Sequence, residues 1–285
     1  MSRINIITDS ACDIPLKAKL NNVEILNFFI TVDGKSYEER KDISFKEYND
    51  ILESCDEIPK TAHITMMRYG ERYEYLSSHG AEDIIVVTIS RTASATYDAA
   101  VMAKDLFYDE HPDSKVRIHI VDSGCFSMGY GWPIMVADQM IDRGEPLSRI
   151  MSFLEREFAS REILLTAYTL KFMKKSGRIS AAAAFAGELL GLKPIILMDH
   201  GSTQVIRKVR GEKRVIPNLI AQFKQRTSDP RNYIIAYNQK EDGKELYSAC
   251  AKEFGNPPVM MFELGSAVST NAGNHCLAIV YAGKK

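Results

Sequence analysis

Asp83-Ile84-Ile85-Val86-Val87-Thr88-Ile89-Ser90-Arg91-Thr92-Ala93-Ser94-Ala95-Thr96-Tyr97 is the stretch whose reading decides the fold. An apolar, β-branched run passes straight into small and hydroxyl residues and then into a helical pattern, so it reads as strand, loop, helix. The carboxyl end of such a strand in an open parallel sheet faces the crevice where ligands bind. Ser90, Thr92, Ser94 and Thr96, with the backbone N–H groups that open the next helix, suit an anionic oxygen. The loop reads as a seat for a head group, without catalytic machinery of its own.

Outward from this stretch, residues 3–7 and 116–121 read as further strands, each ending in Asp and Ser: Asp9-Ser10 and Asp122-Ser123. Asp13-Ile14-Pro15 reads as a helix start, residues 23–32 as one strand region closed by Asp33-Gly34, and Ser44 with Glu47 as a capping box. Helices are expected near 68–78, 94–109, 127–143 and 147–160, and the alternation argues for a mostly parallel sheet with helices on both faces. The remainder differs. Two apolar runs around Asp199-His200-Gly201-Ser202 suggest an antiparallel hairpin, followed by helices near 212–226 and 242–254 and strands near 233–237, 259–263 and 276–281. A chain of 285 residues is comfortable for two cores. The expectation is therefore an α/β protein of two lobes, residues 1–160 as a three-layer α/β/α lobe and 161–285 as a two-layer α/β lobe with a mixed sheet. A ligand tunnel is expected between them.

Lysine and arginine number 36 and aspartate and glutamate 37, for a formal charge of −1 and no long block of either sign. That balance excludes an extended nucleic-acid footprint. Five scattered cysteines without a C-x-x-C pair, and an amino terminus without a signal-peptide hydrophobic region, read as a reduced, cytoplasmic protein. The weakly polar stretch 181–198 contains Glu188, Lys193 and Pro194, so no stable membrane insertion is expected.

Several chemistries fail on their own spacing. Gly34-Lys35-Ser36 has Phe29 where a P-loop needs glycine, and Gly129-Tyr130-Gly131 is followed by Ile134 in place of the third glycine of a dinucleotide fingerprint. Gly124 to Gly129 is one residue too long for a nucleophile elbow. The six histidines show no metal spacing with the cysteines, so neither a metal nor a cofactor is expected. Asp9 stands where some phosphotransfer enzymes place a nucleophilic aspartate; the plainer reading is a cap or a bond to a neighbouring loop. Thr61, His63 and Thr65 read either as a surface loop or as polar atoms aimed at the cleft. Phe28 reads as core or as an apolar ligand wall, and the alanine run at 181–186 as close helix packing or as room for an apolar ligand. Lys174, Lys175 and Arg178 read as a solvated face or as a docking point for an anionic group or partner.

Taken in order, Thr8-Asp9-Ser10-x-x-Asp13, Pro59-Lys60-Thr61, Ser94-Ala95-Thr96-Tyr97, Asp122-Ser123-x-x-x-Ser127-x-Gly129-x-Gly131, Gly177-Arg178-Ile179-Ser180 and Lys193-Pro194-Ile195 resemble the DegV family across nearly the whole chain. The resemblance implies a carrier of a long-chain fatty acid between two α/β lobes, with no catalytic residues. It further implies service as the acyl-carrying subunit of a bacterial fatty acid kinase, in which a separate ATP-dependent kinase phosphorylates the carboxylate for phospholipid synthesis.

By the same resemblance Thr61 and Ser94 match the hydroxyls that bond the carboxylate, flanked by Ala62, His63, Ala95 and Thr96. Arg178, with Lys175 beside it, matches the partner-facing position. This chain departs from the pattern at Ala62, at Ala95, and at Asn271, which stands where the family carries histidine. An asparagine amide donates a hydrogen bond but cannot become cationic. His63 is a candidate to compensate. The readings from other classes are a hydrolase or phosphotransferase using Asp9, and a carrier of a different amphiphile.

Overall fold

The computed structural model describes residues 3–55, 57–177 and 191–284. These divide into two compact units: residues 1–29 with 62–159, and residues 30–61 with 160–285.

In the first unit, β1 (Ile4–Asp9) lies between β2 (Val23–Leu26) and the strand Asp83–Thr88, numbered β6 in chain order; β7 (Arg117–Asp122) completes the sheet, in the order β2-β1-β6-β7. Every pairing is parallel. Asp83–Thr88 is buried at every residue. A strand buried on both faces is an apolar run rather than an alternation, which is how the sequence reads there. Two of the covering helices, Met66–Ser78 and Thr96–Glu110, are joined where the Tyr73 hydroxyl donates to the Ala100 carbonyl at 3.2 Å.

In the second unit, β8 (Arg161–Ala167), β9 (Leu192–Asp199), β10 (Ser202–Arg210), β11 (Tyr233–Tyr237), β12 (Met260–Glu263) and β13 (Cys276–Ala282) form a mixed sheet ordered β10-β9-β8-β13-β11-β12. Only the β11/β12 pair is parallel. The expected hairpin is present, and His200 and Gly201 both take positive φ at its tip, the backbone a two-residue hairpin turn requires. Helices Val215–Arg226 and Lys240–Phe254 pack Leu219, Phe223, Leu246 and Cys250 against Leu164, Ile195, Ile235 and Ile279 of the sheet.

Three expectations are corrected. Residues 23–32 are two strands, β2 and β3 (Phe29–Val32), and the second pairs in a separate three-stranded sheet with β4 (Lys35–Glu38) and β5 (Lys60–Ala62). No helix opens at Asp13; Ser10–Cys12 is a single 3-10 turn that ends on Asp13 at φ 54°. Residues 30–61, expected in an N-terminal lobe of residues 1–160, compact with the second unit instead. The reason is tertiary: Ile30, Val32, Ile43, Tyr48 and Leu52 bury against Phe172. The helix Phe45–Ser54 in this segment does open on the expected capping box, with the Glu47 N–H donating to Ser44 Oγ and the Ser44 N–H to Glu47 Oε2. No helix among the described residues is long and apolar enough to cross a membrane.

Candidate functional site

The loop after β6 is built by backbone hydrogen bonds and two hydroxyl pairs, Ser90 with Thr92 and Ser94 with Thr96. Ser90 is fully buried; its N–H donates to the Cys125 carbonyl at 3.0 Å and its hydroxyl pairs with Thr92 at 2.9 Å. The Arg91 N–H donates to Asp122 Oδ1, and the Arg91 guanidinium lies over the Tyr97 ring and beside Asp98. Thr96 is buried and Ser94 half-buried, with their hydroxyl oxygens 2.8 Å apart, and the Thr96 N–H also points to Ser94 Oγ at 3.3 Å. When Thr96 donates through both groups, the Ser94 oxygen is saturated as an acceptor and its proton is left to donate outward. Ala95, exposed, stands at the N-cap of Thr96–Glu110 and offers no side-chain cap, so the first turn of that helix presents backbone donors to whatever anion approaches.

The neighbouring strand end is closed by contrast. Asp9 is 0% exposed. Its Oδ2 accepts the Ile89 N–H at 2.8 Å and its Oδ1 accepts the Tyr130 hydroxyl at 2.6 Å. Burial, then the Asp9 charge, hold the Tyr130 phenol far above its ordinary pKa, so it stays a donor. The Ser127 hydroxyl donates to Asp13 in a short buried bond, and Ser127 and Asp13 both take positive φ. A Cβ on Gly131 would stand 2.2 Å from the Cys12 carbonyl oxygen, so only glycine lets the helix Met128–Asp142 approach the turn this closely. The motifs Thr8 to Asp13 and Asp122 to Gly131 are thus two halves of one clamp. A nucleophile needs an accessible oxygen aimed at substrate, and Asp9 has none.

The remaining candidates fall in several places. Phe28 is buried in the first unit, its N–H donating to Ser10 Oγ at 2.9 Å. Thr61 is half-buried in β5; Ala62 and His63 are exposed. Asn271 is half-buried in the last turn of the helix Ser266–Ala272, with Nδ2 donating to the Ala267 carbonyl at 2.9 Å. One amide proton and the side-chain carbonyl of Asn271 lie beyond that bond. Lys175 is exposed in the last turn of Lys171–Ser176, whereas Arg178 and the alanine run lie outside the described residues.

Lys193 of the Lys-Pro-Ile motif acts as a structural pin, its Nζ donating to the Tyr168 carbonyl at 2.7 Å and facing Glu212 at 3.2 Å. The Tyr168 ring stacks on His275 at 4.0 Å, and His275 Nε2 meets Asp242 at 2.6 Å. Glu74, Glu110 and His111 bring three potential metal ligands within 4.8 Å of one another, but all three are exposed, and exposed carboxylates gather without a cation on many surfaces. Sequence reasoning passed over Glu39, which is 0% exposed and accepts the Ala267 N–H at 2.7 Å, and Tyr48, whose hydroxyl lies 2.5 Å from Thr270 Oγ1. Both sit among ordinary surface-type residues in sequence, and no local pattern marks them.

A parallel four-stranded sheet in one unit and a mixed six-stranded sheet in the other define a two-unit α/β protein with a hydroxyl-lined strand end. The chain belongs to the DegV family: the family model described as "Uncharacterised protein, DegV family" matches residues 3–284. A DegV domain-containing protein of Clostridium perfringens is 28% identical over 282 residues, spanning 98% of each chain. Among solved structures, a fatty acid binding DegV family protein from Streptococcus agalactiae superposes with a TM-score of 0.87 at 23% identity, over 100% of both chains. The fatty acid kinase B3 protein of Streptococcus pneumoniae, loaded with linoleic acid, superposes with a TM-score of 0.84 at 20% identity, again over 100% of both chains. At these identities the structural likeness establishes the fold.

Proposed function

We propose that this protein is a cytoplasmic fatty-acid carrier that buries the acyl chain and offers the carboxylate to polar contacts from Thr61, Ser94 and Asn271. It hands the bound acid to a separate ATP-dependent kinase, and Lys175 and Arg178 are the residues proposed to recognise that partner. The observation that carries this reading is the contrast between a half-buried Ser94–Thr96 hydroxyl pair and a sealed Asp9 at adjacent strand ends. The loop can hold an anion, while the carboxylate that a hydrolase would use is committed to structure. The names of the solved relatives, one a fatty acid binding protein and one a fatty acid kinase protein loaded with linoleic acid, support the same ligand class.

The energetics are coherent. Each buried methylene contributes about 0.8 kcal/mol, and each hydrogen bond to a charged oxygen about 1.5 to 3 kcal/mol. Neutral donors therefore suffice to fix the head group without a gripping arginine.

Organic extraction of the purified protein followed by mass spectrometry tests the reading directly. A copurifying fatty acid that disappears in the Ser94→Ala, Thr61→Ala double variant is the expected result. Full lipid occupancy in that variant, or no lipid and no thermal shift with added fatty acid in the parent protein, rejects it. A different amphiphile in the extract would point to the neutral amide of Asn271 as the source of an altered head-group preference.

A further inference from the structure

The helix Ser266–Ala272 has seven residues, Ser-Ala-Val-Ser-Thr-Asn-Ala. Helices this short do not hold themselves together in water, and its small side chains bury little apolar area. Its position is therefore set by what grips it from outside. Two of those grips come from the segment 30–61, which precedes it in the chain by more than two hundred residues.

At the amino end, the fully buried Glu39 carboxylate accepts the Ala267 N–H, where the helix dipole favours a negative charge. One turn on, the Thr270 hydroxyl donates to the Ser266 carbonyl at 2.7 Å. That uses its single proton, so in the 2.5 Å contact with Tyr48 the phenol is the donor. The result is a directed chain: Tyr48 O–H to Thr270, Thr270 O–H to the Ser266 carbonyl, and the N–H of the same peptide group, on Ala267, to the Glu39 carboxylate. Each link polarises the next, and the charge at the end strengthens the series. Burial, the first cause, raises the Tyr48 pKa and keeps the phenol protonated as this chain requires. Its middle link, Thr270, precedes Asn271 by one residue, and the Asn271 amide bonds the carbonyl of the same Ala267.

We infer that Glu39 and Tyr48 are positioning residues for Asn271, fixing the short helix so that its amide is presented to the ligand head group. The inference rests on the proposed fatty-acid reading. Neither residue touches the ligand; both act by holding the helix.

The test compares palmitic acid with 1-hexadecanol, which share a chain and differ in the head group, by displacement of a fluorescent fatty acid from the full-length protein. The parent protein is expected to prefer the acid. Glu39→Gln and Tyr48→Phe are each expected to lower that preference by about tenfold, the ratio set by one misplaced hydrogen bond, while leaving affinity for the alcohol unchanged. Thr270→Ser, which keeps the hydroxyl, should retain the parental preference, and Thr270→Val should lose it.

An undiminished acid preference in folded Glu39→Gln and Tyr48→Phe overturns the inference and leaves the carrier reading intact. Equal loss for acid and alcohol also overturns it, because a merely structural role does not distinguish head groups. If Glu39→Gln fails to fold, Tyr48→Phe decides alone. A parent protein that binds neither probe, or prefers neither, defeats the carrier reading itself and the inference with it.

Discussion

Two adjacent strands of one parallel sheet, β1 and β6, end in loops rich in polar residues, and the two loops are opposite in kind. The end of β1 is sealed: Asp9 is satisfied by a backbone amide and a phenol, and Ser127 and Asp13 are closed on each other. The end of β6 is partly open: Ser94 is half-buried, and its nearest partner is another hydroxyl. A charged group buried at a strand end is costly unless fully bonded, so the acid is used for architecture. A hydroxyl costs little to leave at the surface, and that is the kind of group available to meet a ligand.

The comparison can be broken at the sealed end first. Asp9→Ala strands the buried Tyr130 hydroxyl and the Ile89 N–H; with two bonds to a charged group lost, unfolding in urea should show a loss of about 3 to 5 kcal/mol. A loss below about 1 kcal/mol would mean the clamp is dispensable. Gly131→Ala pushes a methyl into the Cys12 carbonyl and the Met128 sulfur and should lose about 1 to 3 kcal/mol by the same measurement.

The amino end of β6 supplies a pH test. Burial acts against the Asp83 charge, but hydrogen bonds from Arg117 and His119, with their charges, outweigh it and hold the carboxyl below its ordinary value. A lowered folded-state pKa contributes stability above the unfolded value near about 3.9 and loses it as pH falls through the lower folded value. Asp83→Asn should therefore flatten the stability profile below about pH 4, as followed by thermal unfolding; an unchanged acid limb would remove Asp83 as a contributor. The smallest effect on folding belongs to the open end. Ser94→Ala should stay within about 0.5 kcal/mol of the parent while weakening fatty-acid binding, and a large stability loss there would erase the contrast between the loops.

The strand, loop and helix from Asp83 to Tyr97 were legible because apolar run, hydroxyl cluster and helical pattern follow one another without a break. The hairpin at His200-Gly201 was legible from its turn. The division of residues 23–32 was not: Asn27-Phe28 contains neither glycine nor proline, and nothing local says that β2 and β3 go to different sheets. Nor could sequence reveal that Tyr48 bonds a threonine 222 positions away, or that Glu39, between Glu38 and Arg40, is the buried carboxylate of that run. Asp9 showed itself as a strand-end acid. Which partners occupied its oxygens was decided by tertiary structure, and that decided between nucleophile and clamp.

The chain passes between its units at three points, after residues 29, 61 and 159, and this has a consequence during synthesis. The segment 30–61 leaves the ribosome early carrying the apolar face of Ile30, Val32, Tyr48 and Leu52, yet its partners Phe172 and Thr270 follow much later. At about 5 to 20 residues per second, roughly two hundred residues separate Thr61 from Thr270, so that face waits on the order of 10 to 40 seconds for its docking site. During this interval the nascent protein carries an exposed hydrophobic hairpin and helix. A chain truncated before Phe172 therefore carries this apolar face without its partner, and exposed apolar surface of that kind promotes aggregation.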